Sequence, residues 1–191
     1  MISGEDWDLI CRRLKESDRQ AFERLFRLQR NDLLKYVYSI VRNATVSHDL
    51  VQDVFVAIWE LRQRLDPEQP LKAYLYRMAR NRAYRYLRDE RLHDQKHQLI
   101  SREAAGDPPA PNDIEHRVDG ALLSTLLQTW LYDLPARQRE ALVLSRFHNL
   151  SHREIASVMG LSSRTVNVHI MRALERLQKR AESFEPALTR P

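Results

Sequence analysis

The sequence has little cysteine and glycine, which disulfides and tight turns require, and it has no long apolar run of the kind that spans a membrane. Its single cysteine, Cys11, excludes an internal disulfide, and it contains only four glycines. No apolar run approaches the roughly 20 residues of a membrane-spanning helix, and the acidic N-terminus lacks a signal-peptide pattern. Alternating β-branched residues are scarce, whereas apolar residues recur at helical spacing. We therefore expect an all-α, cytoplasmic protein that does not insert into a membrane, with Cys11 as a small buried residue.

The catalytic and metal-binding patterns of enzymes are missing as well. The sequence has no glycine-rich phosphate loop, no cluster of metal ligands and no Ser/His/Asp set in a supporting context. His93 and His97 stand four residues apart, but no third ligand accompanies them. We therefore predict no catalytic residue, no metal and no cofactor. The net charge of +5 mildly favours a polyanionic partner.

A break in composition divides the chain into two small helical domains. Gly106, Pro108, Pro109 and Pro111 cluster where apolar residues are few, which is typical of a flexible linker. We expect an N-terminal domain over residues 1–92, a linker over 93–112, a second domain over 113–179 and a C-terminal tail over 180–191.

The strongest local signal is a pair of helices near the C-terminus. Ser151 and Glu154 have the spacing of a capping box, and Gly160 suits the left-handed residue that ends a helix. Ser162 or Ser163 can cap a second helix directly after this turn. The pattern predicts a helix-turn-helix, and an ordinary helical hairpin with a solvated face is the alternative. The predicted outward face of the second helix carries side chains that suit base edges and phosphates: Ser163, Arg164, Thr165, Asn167, His169 and Arg172.

Two helices of the N-terminal domain carry charge of opposite sign. In the first, Ser47 is expected to cap a helix that runs to about Leu65, with an outward face formed by Asp49, Gln52, Asp53 and Glu60. This face is either solvated or a docking surface for a basic or mixed-charge partner. The second is expected from Leu71 to Leu92. One side of it suits phosphates and an exposed base, and consists of Arg77, Arg80, Asn81, Tyr84, Arg85, Arg88 and Arg91.

Several motifs in order and at the right spacing resemble bacterial sigma factors of the sigma-70 superfamily, in the extracytoplasmic-function (ECF) group. HDLVQDVFVAIWE resembles the family's core-polymerase-binding helix, and KAYLYRMARNRAYRYLRDER its −10 promoter helix. LPARQREALVLSRF, LSHREIASVMGLS and RTVNVHIMRALERL resemble its −35-binding domain. Many members carry an acidic residue in place of Arg85, and often Gly-Thr-Val where this chain has Arg164, Thr165 and Val166. Both departures bear on promoter preference more than on class.

The resemblance implies a protein that binds core RNA polymerase, directs it to promoter DNA and helps to melt the −10 element. It also implies an anti-sigma factor as a partner. The residues implied to dock on core polymerase are Asp49, Gln52, Asp53 and Trp59. Those implied to face the −10 DNA are Tyr74, Arg77, Arg80, Asn81, Tyr84 and Arg88, and those for the −35 DNA are the six outward residues given above. Two alternatives remain. One is a LuxR-like transcriptional regulator, because SSRTVNVHI resembles the recognition helix of that family. The other is an enzyme that acts on nucleic acid.

Overall fold

A computed structural model describes the backbone of residues 4–100 and 129–188, and every structural statement below refers to these residues. The chain forms two compact units, Met1–Ile114 and Glu115–Pro191. All regular structure in the described ranges is helical, so the all-α prediction is confirmed. None of the helices searched is long and apolar enough to cross a membrane.

The first unit is a small bundle of four long helices, which are α1 (Gly4–Lys15), α2 (Arg19–Val41), α3 (Ala44–Leu61) and α4 (Leu71–Ile100). A short 3-10 helix, Arg62–Arg64, follows α3. Helix α2 contacts the other three long helices.

Buried aliphatic and aromatic side chains hold this bundle together. Tyr36 on α2 and Tyr76 on α4 are fully buried, with ring centroids 5.2 Å apart. Phe55 on α3 packs edge-on against Phe22 and Phe26 of α2, at 6.3 and 4.8 Å. Because these contacts fix the rotation of α3 and α4 about their axes, they also determine which side chains face outward.

Helix starts in this unit follow local capping chemistry, with one correction to the sequence analysis. Asp18 caps α2 by accepting hydrogen bonds from the backbone N–H groups of Gln20 and Ala21. Ser47 was expected to cap α3, but Asn43 does so, accepting from the N–H of Val46 at 3.1 Å. Ser47 instead lies buried inside the first turn, where its hydroxyl donates to the carbonyl of Asn43 at 2.6 Å. The helix therefore begins four residues earlier than expected, at Ala44.

Helical structure extends into the first part of the predicted linker. Helix α4 continues past Leu92 to Ile100, so residues 93–100 are helical. These residues include neither glycine nor proline, and the first helix-breaking residue beyond them is Gly106. The remainder of the predicted linker lies outside the described residues.

The second unit contains a helical turn at residues 129–132 and three further helices. Residues 113–128 of the predicted second domain fall outside the described ranges. Residues 180–188 of the predicted tail continue the last helix, and Arg180 on it forms an ion pair with Asp133. The three helices are α5 (Ala136–Arg146), α6 (His152–Met159) and α7 (Ser163–Leu188).

Candidate functional site

The helix-turn-helix predicted from residues 151–178 is present. The Ser151 hydroxyl accepts from the N–H of Glu154 at 3.3 Å, and the Glu154 carboxylate accepts from the N–H of Ser151 at 2.8 Å. Gly160 ends α6 with φ 66° and ψ 42°, and its N–H donates to the carbonyl of Ala156. Both ends of α6 are therefore closed by the local sequence.

The start of α7 is closed by Ser162, which settles the choice between the two serines. Its hydroxyl oxygen accepts from the N–H of Thr165 at 3.0 Å and lies 2.8 Å from the Thr165 hydroxyl. Val166, Ile170 and Ala173 on the opposite side of α7 are buried. The exposed Ser163 is consequently the first residue of α7, and the polar side of this helix, opposite the three buried residues, faces solvent.

The six α7 residues predicted to face DNA divide into two groups. Ser163, Arg164, Asn167 and Arg172 are exposed. Thr165 and His169 are half-buried, at the border between the exposed face and the core. Nδ1 of His169 is buried and has no hydrogen-bond partner among the described residues. The four exposed residues are the part of the predicted set that is most open to an external partner.

The acidic side of α3 is exposed as a continuous surface. Asp49, Gln52, Asp53 and Glu60 all face solvent, and within the described part of the chain neither aspartate forms an ion pair. The sequence analysis missed Val56, which is 56% exposed in the middle of these residues. Its signal in the sequence is an apolar residue that lies three or four positions from Gln52, Asp53 and Glu60. We call these five residues the acidic face.

Trp59 lies at the edge of the acidic face and is half-buried. Its ring is 5.1 Å from that of Phe22, and the Arg62 guanidinium stacks over it at 4.4 Å. Trp59 is therefore held between α2 and the residues that follow α3, unlike the aspartates.

On α4, four of the six predicted −10 residues form two pairs of arginine and tyrosine. The guanidinium of Arg77 lies 5.3 Å from the ring centroid of Tyr74, and that of Arg80 lies 4.6 Å from the ring centroid of Tyr84. Asn81 is exposed one residue beyond Arg80. The helix thus offers cationic groups beside aromatic rings on one side, an arrangement suited to a nucleic-acid backbone with unstacked bases.

The basic side continues toward the end of α4. Arg88 is exposed and hydrogen-bonds Asp89 at 3.3 Å, and a shallow open depression lies beside it. The depression is lined by Tyr84, Leu87, Arg88, Arg91 and Leu92.

Among the described residues, no group of three or more His, Cys, Asp or Glu side chains could hold a metal ion.

Residues 25–93, which contain α3 and the basic side of α4, match sigma-70 region 2, and residues 126–177 match sigma-70 region 4. The chain is 30% identical over 184 residues to the RNA polymerase sigma factor CnrH of Cupriavidus metallidurans, covering 92% of this chain and 95% of the relative. The chain belongs to the sigma-70 family, in its ECF group. It is 26% identical to the ECF RNA polymerase sigma factor RpoE of Cereibacter sphaeroides, over 91% of this chain and 94% of the relative.

A solved sigma factor structure has the same fold. The RpoE sigma factor of Bartonella quintana, in complex with the anti-sigma factor NepR, matches with a TM-score of 0.66 and 25% identity. The match covers 84% of this chain and 96% of the Bartonella chain. The protein is thus a DNA-binding transcription initiation factor that binds core RNA polymerase and directs promoter-specific initiation. The region 2 match decides against the LuxR-like alternative, for which a sigma-70 domain at residues 25–93 is not expected.

Proposed function

We propose that this sigma factor divides its work among three exposed helix faces. The acidic face of α3, with Trp59 beside it, binds core RNA polymerase. The basic side of α4 holds the −10 element, through Tyr74, Arg77, Arg80, Asn81, Tyr84 and Arg88. The exposed side of α7 binds the −35 element, through Ser163, Arg164, Thr165, Asn167, His169 and Arg172. The observation that carries the proposal is that α3 carries exposed acids and no lysine or arginine, whereas exposed arginines outnumber exposed acids on α4 and α7, so the helices suit partners of different charge.

The acidic face is suited to a protein surface rather than to DNA. Asp49 and Asp53 would repel phosphates, and they form no ion pair within the described ranges, so both carboxylates are available to a basic partner. Val56 adds an exposed apolar group to the same surface. An apolar centre with a charged rim is the usual composition of a protein–protein interface.

Charge reversal on this face tests the polymerase assignment. We expect the double substitution Asp49→Lys and Asp53→Lys to weaken binding to purified core polymerase strongly, because two attractive contacts become repulsive. Since both residues are exposed, the free energy of unfolding should change by only about 0.5 kcal/mol. The measurement is a fluorescence-anisotropy titration of labelled sigma factor with core enzyme.

The control is the double substitution Glu68→Lys and Glu182→Lys. These exposed acids lie outside α3, and their replacement changes the net charge by the same amount. Core affinity that falls equally in both double variants would indicate a general effect of charge. Unchanged affinity in the α3 variant would remove the acidic face from the polymerase interface.

The basic side of α4 supports a role with melted DNA. Arginines supply charge for a flexible single-stranded backbone, and a tyrosine ring can stack on an unpaired base. On α7, the exposed Arg164, Asn167 and Arg172 carry donors for base edges and phosphates in duplex DNA. The two helices thereby suit the two steps of initiation, which are recognition of the duplex and capture of the opened strand.

We further propose that the protein acts in the cytoplasm, has no catalytic activity of its own and is controlled by an anti-sigma factor. The Bartonella relative was solved in complex with such a factor. The acidic face of this chain is exposed, so an anti-sigma factor that covered it would exclude core polymerase. Competition between core enzyme and the candidate anti-sigma factor for the labelled protein would test this control.

A further inference from the structure

Helix α7 exposes two apolar side chains within its first three turns. Val168 is 39% exposed and Met171 is 50% exposed. They stand three residues apart and are therefore neighbours on the helix surface. Neither was assigned to the core or to the DNA-facing set by the sequence pattern. An apolar group left in water adds no burial energy to the fold, so a partner that covered this pair would gain that energy on binding.

The surroundings of these side chains identify the surface to which they belong. Arg164 lies four residues before Val168 and Arg172 four residues after it, so the three form one ridge along the helix. Asn167 lies four residues before Met171 and forms the adjoining ridge with it. All three polar residues are exposed. The apolar pair therefore lies inside the polar face of α7, on the side away from buried Ile170.

The major groove of DNA contains one apolar group that such a pair can meet. Thymine carries a methyl group at C5, and the other edges of the base pairs present mainly hydrogen-bond donors and acceptors. Arginines on both sides of Val168 can hold phosphates or guanine edges, which would place the valine against the floor of the groove. We propose that Val168 and Met171 recognise thymine methyl groups in the −35 element and are specificity-determining residues of this sigma factor.

The charge of the surrounding surface favours DNA over a protein as the occupant. Neither Arg164 nor Arg172 forms an ion pair within the described residues, so the ridge presents two uncompensated positive charges. A polyanion satisfies both charges along one line. The inference rests on the proposed binding of α7 to the −35 element, and the experiment below separates the two.

The test removes single methyl groups from the DNA. A preferred −35 element is first selected by the full-length protein with core polymerase from a promoter library with randomised −35 positions. Each thymine of that element is then replaced by deoxyuridine, which differs only by the absent C5 methyl. We expect the selected element to contain thymine, and its contacted positions to lose about threefold to fivefold in affinity, as for one buried methyl group.

Protein variants complete a double-mutant cycle. In Val168→Ala or Met171→Ala, the parental promoter should bind more weakly, and the further loss caused by deoxyuridine should shrink toward none at the contacted thymine. Leu9→Ala is the matched control, since Leu9 is also aliphatic and 48% exposed but lies on α1. It should retain the full sensitivity to deoxyuridine.

Three outcomes would overturn the inference while leaving −35 recognition in place. They are an element selected without thymine, deoxyuridine substitutions without effect, and a full deoxyuridine penalty in both α7 variants. Weaker core binding by these variants with unchanged DNA preference would likewise overturn it and assign the pair to a protein interface. If the parental protein selects no −35 sequence at all, the proposed function of α7 itself fails.

Discussion

Arg62 connects three parts of the first unit through one guanidinium group. Its Nε donates to the Ser17 hydroxyl at 2.9 Å, and its Nη1 donates to the carbonyl of Trp59 at 2.6 Å. The same group stacks over the Trp59 ring. Ser17 lies in the turn between α1 and α2 with φ 62°, a left-handed conformation that is unfavourable for a residue other than glycine. Arg62 thus fixes both a strained turn and the tryptophan beside the acidic face.

Replacing Arg62 should therefore affect stability and polymerase binding together. We expect Arg62→Ala to lower the free energy of unfolding by about 1–2 kcal/mol, because two hydrogen bonds from a charged donor are lost. Core affinity should fall as well, since Trp59 loses its stacked neighbour. Urea unfolding and core titration measure the two effects, and Arg64→Ala, at an exposed residue of the same 3-10 helix, is the control. An affinity for core equal to that of the parent would show that the position of Trp59 does not matter for docking.

Cys11 is expected to be chemically inert in the folded protein. Its side chain is 1% exposed, and burial raises the pKa of the thiol above its ordinary value of 9.0. Alkylation requires the thiolate, so both the raised pKa and the lack of access slow the reaction. At pH 8, iodoacetamide should modify Cys11 slowly in buffer and rapidly in urea. Burial favours the neutral thiol of Cys11 in the folded state. The free energy of unfolding should therefore fall as the pH rises above the ordinary pKa of the thiol, because the unfolded chain then loses its proton more readily than the folded one.

A cysteine introduced on the surface provides the comparison for Cys11. Ser157 is exposed on α6, and Ser157→Cys in a Cys11→Ala background should react quickly without urea. Rapid modification of native Cys11 at a similar rate would mean that α1 opens frequently, and would contradict the tight packing of that helix.

Helix ends could be predicted where one set of neighbouring residues determines them, but not where two residues could each cap the same helix. Ser151, Glu154 and Gly160 act only on neighbouring backbone atoms, so their spacing alone determines where α6 begins and ends. At the start of α3, both Asn43 and Ser47 are good capping residues. The choice between them depends on the burial of Ser47 against the rest of the bundle, which the local sequence does not contain.

The candidate faces show the same division between local pattern and tertiary context. Helical periodicity identified the exposed aspartates of α3 and arginines of α7, because polar residues recur on one side. It missed Val56 and Val168, because periodicity identifies a surface by its polar residues and gives no reason to assign a single apolar residue to that surface. It also placed Thr165 and His169 on the open face, whereas packing against the core half-buries both. Their role at the −35 element stays a prediction.

The turn of the helix-turn-helix gives a prediction at this scale. Gly160 has φ 66°, and a Cβ atom built on it would meet no atom within 4 Å. The penalty for a side chain is therefore conformational rather than steric. We expect Gly160→Ala to destabilise the protein by about 1–2 kcal/mol and Gly160→Asn by less, because asparagine adopts the left-handed region more readily. Thermal unfolding followed at the α5–α7 unit measures the difference, and equal losses in the two variants would contradict this explanation.

Taken as one molecule, the protein combines charged faces that a single partner could not satisfy. The acidic face of α3 requires positive charge, whereas the arginines of α4 and α7 require negative charge. A complex of polymerase and promoter offers both at once. The placement of the charges on separate faces is therefore more informative than the net charge of +5. If the acids and arginines paired with each other within the chain, the protein would attract neither partner.

The last prediction concerns the step that distinguishes an initiation factor from a duplex-binding regulator. Binding at the −35 element requires only duplex DNA, whereas opening at the −10 element requires groups that hold an unpaired strand. Stacking of a base on a tyrosine is worth about 1–3 kcal/mol. We therefore expect Asn81→Ala and Tyr84→Ala, assembled with core enzyme, to form closed complexes normally and to reduce strand opening, measured by permanganate reactivity of unpaired thymines. Asn31→Ala, at an exposed residue of α2, is the control.

A template that is already unpaired over the −10 element should restore part of the activity of both variants, because the melting energy is then supplied by the DNA. Rescue also separates a defect in strand capture from a defect in folding, since an unfolded variant would fail on either template. The Arg80 guanidinium already lies against the Tyr84 ring, so Arg80→Ala should reduce opening as well by removing both a cation and the group beside that ring. Parental opening kinetics in all three variants would exclude α4 from melting and leave it a role in duplex binding alone.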